Sequence, residues 1–268
     1  MSTLAYDGTA LLGRQLRRMR NNPGLLILTQ TMPVTMLLFF SFVLGSALAM
    51  PGAEYRSYLV PGLLVATAAN GLMTGMFQAA QDTHRGVTDR LRSLPISRAA
   101  VPLGQAVADL AVTAAGTVPF LLAGLAVGWR VEGSALGAVG AAGLLLMFRF
   151  ATTWAGILLG LLTRNEEAAG QLGGATFVLP LLSNAYIPTD GMTGWLRTAA
   201  EWNPVSAVAT ALRDLFGNAP VPDGAAWPVA HPVAGSLAWC AVLLAVCVPL
   251  AVRRYAGTPA ARTDARPR

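Results

Sequence analysis

DTHRGVTDRLRSLPISR, residues Asp82 to Arg98, separates two stretches of apolar sequence that are each long enough to cross a bilayer. It is the only long, densely charged run with such neighbours. Gly86 breaks the helix before it, and the Thr88 hydroxyl can cap a new one. Val87, Leu91 and Leu94 then share one face at spacings of four and three, while Asp89, Arg90 and Arg92 point away. Pro95 ends the turn, because the residue before a proline is pushed out of the helical region. The reading is a short amphipathic helix outside the lipid. Its apolar knobs stay exposed unless a partner covers them or the segment folds back on the bilayer.

Composition supports a membrane setting. Of the 268 residues, 54% are hydrophobic and 12% charged, and the mean hydropathy is +0.53. Soluble domains of this size are seldom so apolar. All 19 basic residues are arginines, most of them in short clusters between apolar runs. That distribution suits membrane orientation rather than nucleic-acid binding.

A crossing needs about 20 apolar residues. Six stretches qualify: Gly24 to Met50, Tyr58 to Gln81, Ala99 to Val127, Ala135 to Leu162, Ala168 to Ile187 and Pro228 to Val252. With the amino terminus inside, Arg14, Arg17, Arg18, Arg20, Arg85, Arg90, Arg92, Arg98, Arg164, Arg253, Arg254, Arg262, Arg266 and Arg268 are cytoplasmic. Only Arg56, Arg130, Arg197 and Arg213 then lie outside. The positive-inside bias therefore favours six spans with both ends cytoplasmic. Ala47-Leu48-Ala49 resembles a signal-peptidase site, but the apolar run before it is far longer than the 7 to 15 residues, roughly, of a signal peptide. Ahead of the first span, Leu12, Leu16 and Met19 fall at helical spacing with Arg14, Arg17 and Arg18 around the other side. That pattern predicts a helix lying on the inner leaflet, with a basic tail that only sets topology as the alternative.

Several chemistries are excluded. A P-loop needs a lysine after its glycine-rich turn, and the chain has none. The only histidines are His84 in the charged loop and His231 near the outer end of the last predicted span, on opposite sides of the bilayer, which argues against a shared catalytic site. Cys240 and Cys247 sit seven apart on one apolar helix, about 10 Å along its axis. They cannot pair with each other, and no metal-ligand spacing occurs.

Polar groups inside spans stand out. Asp109 on the third and Arg149 on the fourth differ in depth by about 7 Å at the helical rise, so an ion pair between antiparallel neighbours is expected. Asn70, Thr74, Gln78 and Gln81 make a polar stripe on the second span, and Thr176, Ser183 and Asn184 are polar positions on the fifth. Such groups either line a pathway or hydrogen-bond neighbouring helices. Gly133 with Gly137 and Gly156 with Gly160 permit close helix contact. Thr163 and Glu166 have capping-box spacing for the fifth span, where Glu166 and Glu167 suit a positive helix end. The segment 189–227 is too polar to cross and carries Trp195, Trp202 and Trp227, as interface anchors do. Within it, Asn203-Pro204 starts a helix and Gly217 stops it.

The order of these features resembles the permease subunit of type-2 ATP-binding-cassette (ABC) exporters, including daunorubicin-type efflux permeases. The likeness is carried by Arg20-Asn21-Asn22-Pro23, Tyr58-Leu59-Val60-Pro61-Gly62 and the run from Arg85 to Arg98. It continues at Trp154, Arg164-Asn165-Glu166-Glu167-Ala168, Leu182-Ser183-Asn184-Ala185-Tyr186-Ile187-Pro188 and Trp202-Asn203-Pro204-Val205-Ser206. A departure is Asn184-Ala185-Tyr186, where a phenylalanine is expected near the Pro188 turn.

The resemblance implies an all-α polytopic membrane protein forming a single type-2 transmembrane domain over 1–268. Its parts would be a cytoplasmic amphipathic helix (1–23), a six-span region (24–252), short outer re-entrant helices within 189–227 and a cytoplasmic tail (253–268). The loop 82–98 would be the coupling helix, with Val87, Asp89, Arg90, Leu91, Arg92 and Leu94 docking on a separate ABC ATPase. That partner, present as two subunits, would bind the ATP and magnesium, and this chain would carry no cofactor, no metal and no catalytic residue. A second permease copy or a relative would complete the pathway in the bacterial cytoplasmic membrane. Asn70, Thr74, Gln78, Gln81, Thr176, Ser183 and Asn184 would border the cavity. The expected cargo is a hydrophobic or amphipathic small molecule such as an antibiotic, with a lipid-linked glycan as the alternative. A membrane scaffold or sensor that moves nothing is the rival outside transport.

Overall fold

Among the described residues of the computed structural model, four helical stretches are long and apolar enough to span a bilayer. They are Gly52–Thr83, Pro102–Val127, Ala135–Leu162 and Pro232–Arg254, of 32, 26, 28 and 23 residues. The structure describes residues 23–44, 52–84, 100–163, 166–222 and 224–257. The expected amphipathic helix near the amino terminus, residues 85–98 of the expected loop 82–98 and residues 258–268 of the expected tail 253–268 lie outside the described residues, while 82–84 and 253–257 prolong the helices before them.

Among the described residues all regular structure is helical. In chain order it comprises α1 (Pro23–Phe39, wound on as a π-helical turn Phe40–Leu44), α2 (Gly52–Ala69), α3 (Gly71–His84), α4 (Ala100–Val127), α5 (Ala135–Leu162) and α6 (Glu166–Ala175). There follow α7 (Val178–Leu181), a 3-10 turn Thr189–Gly191, α8 (Gly194–Glu201), α9 (Pro204–Phe216), α10 (Trp227–Ala230) and α11 (Pro232–Gly257). The chain is an all-α polytopic membrane protein.

Three expected spans are not simple rods. The second begins at Gly52 and breaks at Asn70, where Asn-Gly is a strong turn signal. The fifth does not run unbroken from Ala168 to Ile187. α6 stops at Ala175, α7 is a single turn, and Leu182 to Ile187 is irregular. Gly170, Gly173 and Gly174 weaken its helix, and Ser183-Asn184 competes for backbone bonds, whereas the apolar composition alone reads as continuous. The last span is preceded by the separate turn α10, because His231 leaves the helical region and Pro232 restarts the helix. Thr163, expected to cap the fifth span, closes α5, its hydroxyl donating to the Gly160 carbonyl at 2.7 Å.

α5 is the central post, packed against α2, α3, α4, α9 and α11. Leu59 and Leu63 of α2, Phe120 of α4, Phe148 of α5, Val208 and Leu212 of α9 and Cys240 of α11 share one buried cluster. α3 and α5 pack backbone against backbone. A Cβ added at Gly156 would collide with the Leu72 carbonyl, and one at Gly160 with that of Met76. Gly133 and Gly137 serve another contact, lying against the Leu215–Gly217 backbone at the end of α9. Both glycine pairs are therefore used inside the chain.

Gly156→Leu is expected to lower the thermal stability of the detergent-solubilised protein by at least the ~1–3 kcal/mol of an overpacked core. Gly143→Leu, where an added Cβ meets nothing within 4 Å, should leave it nearly unchanged.

Candidate functional site

The irregular stretch after α7 sets a problem that the surrounding side chains solve. In hydrocarbon, each unbonded backbone N–H or C=O costs several kcal/mol, so non-helical chain survives only where protein satisfies it. The Asn184 N–H donates to Ser206 Oγ at 2.9 Å, and the Ala185 N–H to Ser183 Oγ at 3.1 Å. The Asn184 carbonyl accepts from the Tyr58 hydroxyl and from Arg213 Nη2, both at 2.8 Å. Arg213 Nη2 also reaches the Ala185 carbonyl at 3.2 Å, and the Tyr55 hydroxyl reaches that of Tyr186 at 3.3 Å.

Arg213 is the hub. It is 2% exposed on α9, and its Nε donates to the Tyr58 carbonyl at 2.9 Å while Nη1 donates to Asn184 Oδ1 at 3.3 Å. Its guanidinium carbon lies 3.5 Å above the Tyr58 ring, so the positive charge rests against a π face and a ring of carbonyl dipoles. Asn203 completes the seat from the start of α9. Its Oδ1 accepts the Val205 N–H at 2.9 Å, and its Nδ2 donates to the Leu179 and Leu182 carbonyls at 2.8 Å each, groups left over where α7 ends. Gly62 lets α2 touch the segment, since a Cβ there would collide with the Ala185 carbonyl. Three separated stretches, 58–62, 183–188 and 203–206, thus form one polar seat.

A second polar cluster lies within the spans. Arg149 meets Asp109 through two bonds, Nε to Oδ2 and Nη2 to Oδ1, each 2.7 Å. Thr153 Oγ1 donates to Asp109 Oδ2 at 2.8 Å. Arg149 Nη1 donates to the Thr67 carbonyl at 3.1 Å, Nη2 to Thr74 Oγ1 at 3.3 Å, and Thr152 Oγ1 to the Ala68 carbonyl at 3.1 Å. The cluster therefore caps carbonyls at the Asn70 break as well as neutralising two charges.

Comparison with known proteins identifies the lineage. The ABC-2 type transporter family matches residues 7–216. The daunorubicin resistance ABC transporter permease protein DrrB1 of Streptomyces coeruleorubidus is 33% identical over 248 residues, covering 91% of this chain and 84% of that protein. The doxorubicin resistance ABC transporter permease protein DrrB of Mycobacterium tuberculosis is 25% identical over 221 residues, covering 78% and 73%.

The chain belongs to the ABC-2 type transporter family. In this ABC-2 chain the residues singled out from sequence separate into groups. Thr74 joins the Arg149 cluster, Asn70 sits at the helix break, and Gln78 and Gln81 are half-buried on α3. Ser183 and Asn184 are buried, with Ser183 Oγ donating to the Pro180 carbonyl at 2.7 Å and Asn184 Nδ2 to Thr210 Oγ1 at 2.8 Å. Thr176 Oγ1 donates to the Gly173 carbonyl at 2.6 Å, closing α6. These last three are spent on the chain's own bonds. Val87, Asp89, Arg90, Leu91, Arg92 and Leu94 lie outside the described residues.

Sequence reasoning missed Arg213, counted with the outer arginines, and Glu201, which is 4% exposed. The one available signal for Arg213 was its register on α9. It falls seven residues after Ser206 and three after Thr210, on the face that accepts Asn184.

Arg213→Met is expected to destabilise the ABC-2 chain by roughly 3 kcal/mol or more, since charge-assisted hydrogen bonds contribute about 1.5–3 kcal/mol each. Thermal unfolding in detergent measures this. Arg213→Lys should recover little, because an ammonium cannot reproduce the planar fork. For the second cluster, Asp109→Asn and Arg149→Gln should each destabilise by about 3–5 kcal/mol. Their double mutant should lose clearly less than the sum, and strict additivity would refute the coupling.

Proposed function

We propose that this chain is the membrane-spanning permease subunit of an ATP-driven exporter that moves a hydrophobic or amphipathic small molecule, such as an antibiotic, out of a bacterial cytoplasm or inner leaflet. The observation that carries the reading is the likeness over 91% of the chain to a permease named for daunorubicin resistance. The ATP would be hydrolysed by a separate ABC ATPase, two subunits serving a pair of permeases. This chain, which lacks any lysine for a P-loop, would hold neither nucleotide nor magnesium.

In this reading both termini are cytoplasmic and the Asp82 to Arg98 loop is the coupling element. Val87, Leu91 and Leu94 enter a cleft on the ATPase, with Asp89, Arg90 and Arg92 orienting the contact. The loop begins within the last turn of α3, which runs to His84, so ATPase movement would reach the helix that carries Thr74, Gln78 and Gln81 and that starts at the Asn70 break. Met73 and Phe77 on the same helix are 44% and 45% exposed, which gives α3 an outward face of mixed polar and apolar character suited to an amphipathic cargo. Thr176, Ser183 and Asn184 would shape the pathway by holding the α6–α7 segment in place. ATP-driven alternation of two forms with different affinity for cargo would provide the transport cycle.

Leu91→Asp is expected to leave membrane insertion intact while abolishing both ATPase co-purification and cargo-stimulated ATP hydrolysis in nanodiscs. Normal export by that variant would place the docking surface elsewhere. A wild-type complex that purifies without any ATPase would sink the exporter reading.

A further inference from the structure

We infer that Gln105 is a positioning residue: its bond to Asp82 ties the start of α4 to the end of α3, so that the two helices flanking the charged loop move as one body with α5. The inference rests on reading the Asp82 to Arg98 loop as the coupling element, and it adds the device that lets one docking contact drive three helices.

Helices in a bilayer gain little from being apolar, because the lipid is as apolar as they are, so they associate through close packing and polar contacts. α4 is the least buried of the four long stretches, 17% against 67% for α5. Its Leu103, Val118, Leu122 and Leu125 are exposed. Near the loop, its buried positions include the small residues Gly104 and Ala106, which offer little interlocking surface.

Two polar contacts on one face of α4 supply the grip. Gln105 Nε2 donates to Asp82 Oδ2, and one helical turn further on Asp109 receives Arg149 and Thr153 of α5. The second contact is the cluster already described. The first joins the last turn of α3 to the second turn of α4. A carboxylate acceptor makes the Gln105 bond charge-assisted, and both residues are half-buried, where water competes less than at an open surface.

The placement of that bond sets its consequence. The chain leaves α3 at His84 and enters α4 at Ala100, and the bond from Asp82 to Gln105 bridges the two helices just inside those points. α3 in turn lies backbone to backbone on α5 at Gly156 and Gly160. A push or pull through the loop therefore moves α4 together with the α3–α5 pair, where an unfastened α4 would slide along its exposed face alone.

The test uses the full chain with its ATPase in nanodiscs, carrying nitroxides on Leu103→Cys of α4 and Leu162→Cys at the end of α5, both exposed positions, with Cys240→Ser and Cys247→Ser removing the native thiols. Double electron–electron resonance should give one narrow distance, the same without nucleotide and after trapping with ATP and vanadate. Gln105→Glu keeps the side-chain size and removes the donor. Above the usual carboxylate range it meets Asp82 as a like charge, so the distribution should broaden, and broaden further on trapping. Adding Asp82→Asn returns a donor to the same contact and should narrow the distribution again. A wild-type distance that changes on trapping, an unbroadened Gln105→Glu variant, or a double mutant as broad as the single one would each overturn the inference. A wild-type complex without ATPase would sink the exporter reading instead, while the nucleotide-free distances would still decide whether Gln105 fastens α4.

Discussion

The half of this molecule around the break after α7 depends on one guanidinium. Between α7 and the 3-10 turn the backbone abandons the helix where apolar spans surround it, and every carbonyl freed there needs a donor. Arg213 supplies donors to Tyr58, Asn184 and Ala185 from a single planar group, something no other side chain has the geometry to do. It also ties α9 to α2 and to the irregular stretch at once. Ser206, Thr210 and Asn203 add bonds from the same helix and its cap, and the Tyr55 and Tyr58 hydroxyls and Ser183 supply others. The Asn-Pro-Val-Ser motif that begins α9 therefore acts as a cap and a socket together, with one asparagine closing its own helix and the end of another.

The Asp109–Arg149 cluster obeys the same rule at a different place. A paired arginine and aspartate still carry a large desolvation penalty, and extra hydrogen bonds are what make such a pair tolerable. Here Thr153 and Thr74 supply some of them, and the spare arginine donor goes to the Thr67 carbonyl beside the Asn70 break. The bend in the second span and the ion pair thus support each other. An apolar residue at 149 would leave Asp109 without its partner and the Thr67 carbonyl without that donor, with only the Thr152 bond to the Ala68 carbonyl kept at the break.

How much of this was legible in the sequence varied with the kind of signal. The apolar runs gave the helices their places. Asn203-Pro204 and Gly217 gave both ends of α9, whose observed cap residues are Asn203 and a left-handed Gly217. Asp109 and Arg149 were conspicuous because charge is rare in a span, and their expected offset of about 7 Å is within reach of an arginine side chain. The break in the fifth span was harder to read, since Phe177 to Leu182 is as apolar as a crossing helix and hydropathy is blind to backbone direction. Arg213 was harder still. An arginine in a polar segment reads as exposed, and its burial follows only from the tertiary meeting of α2, α9 and the stretch between them. Gly62 was visible as part of a motif, but the reason for a glycine there is a carbonyl that lies 123 residues away along the chain.

The glycine contact between α3 and α5 has a mechanical consequence. With backbone against backbone there is no compressible layer of side chains or lipid between the two helices, so they behave as a single stiff lever. Its short arm ends at His84, and its long arm is α5, which bears on α2, α4, α9 and α11. Displacing the His84 end of α3 would therefore carry α5 with it, and with α5 the Arg149 cluster and the contact between Gly137 and the end of α9.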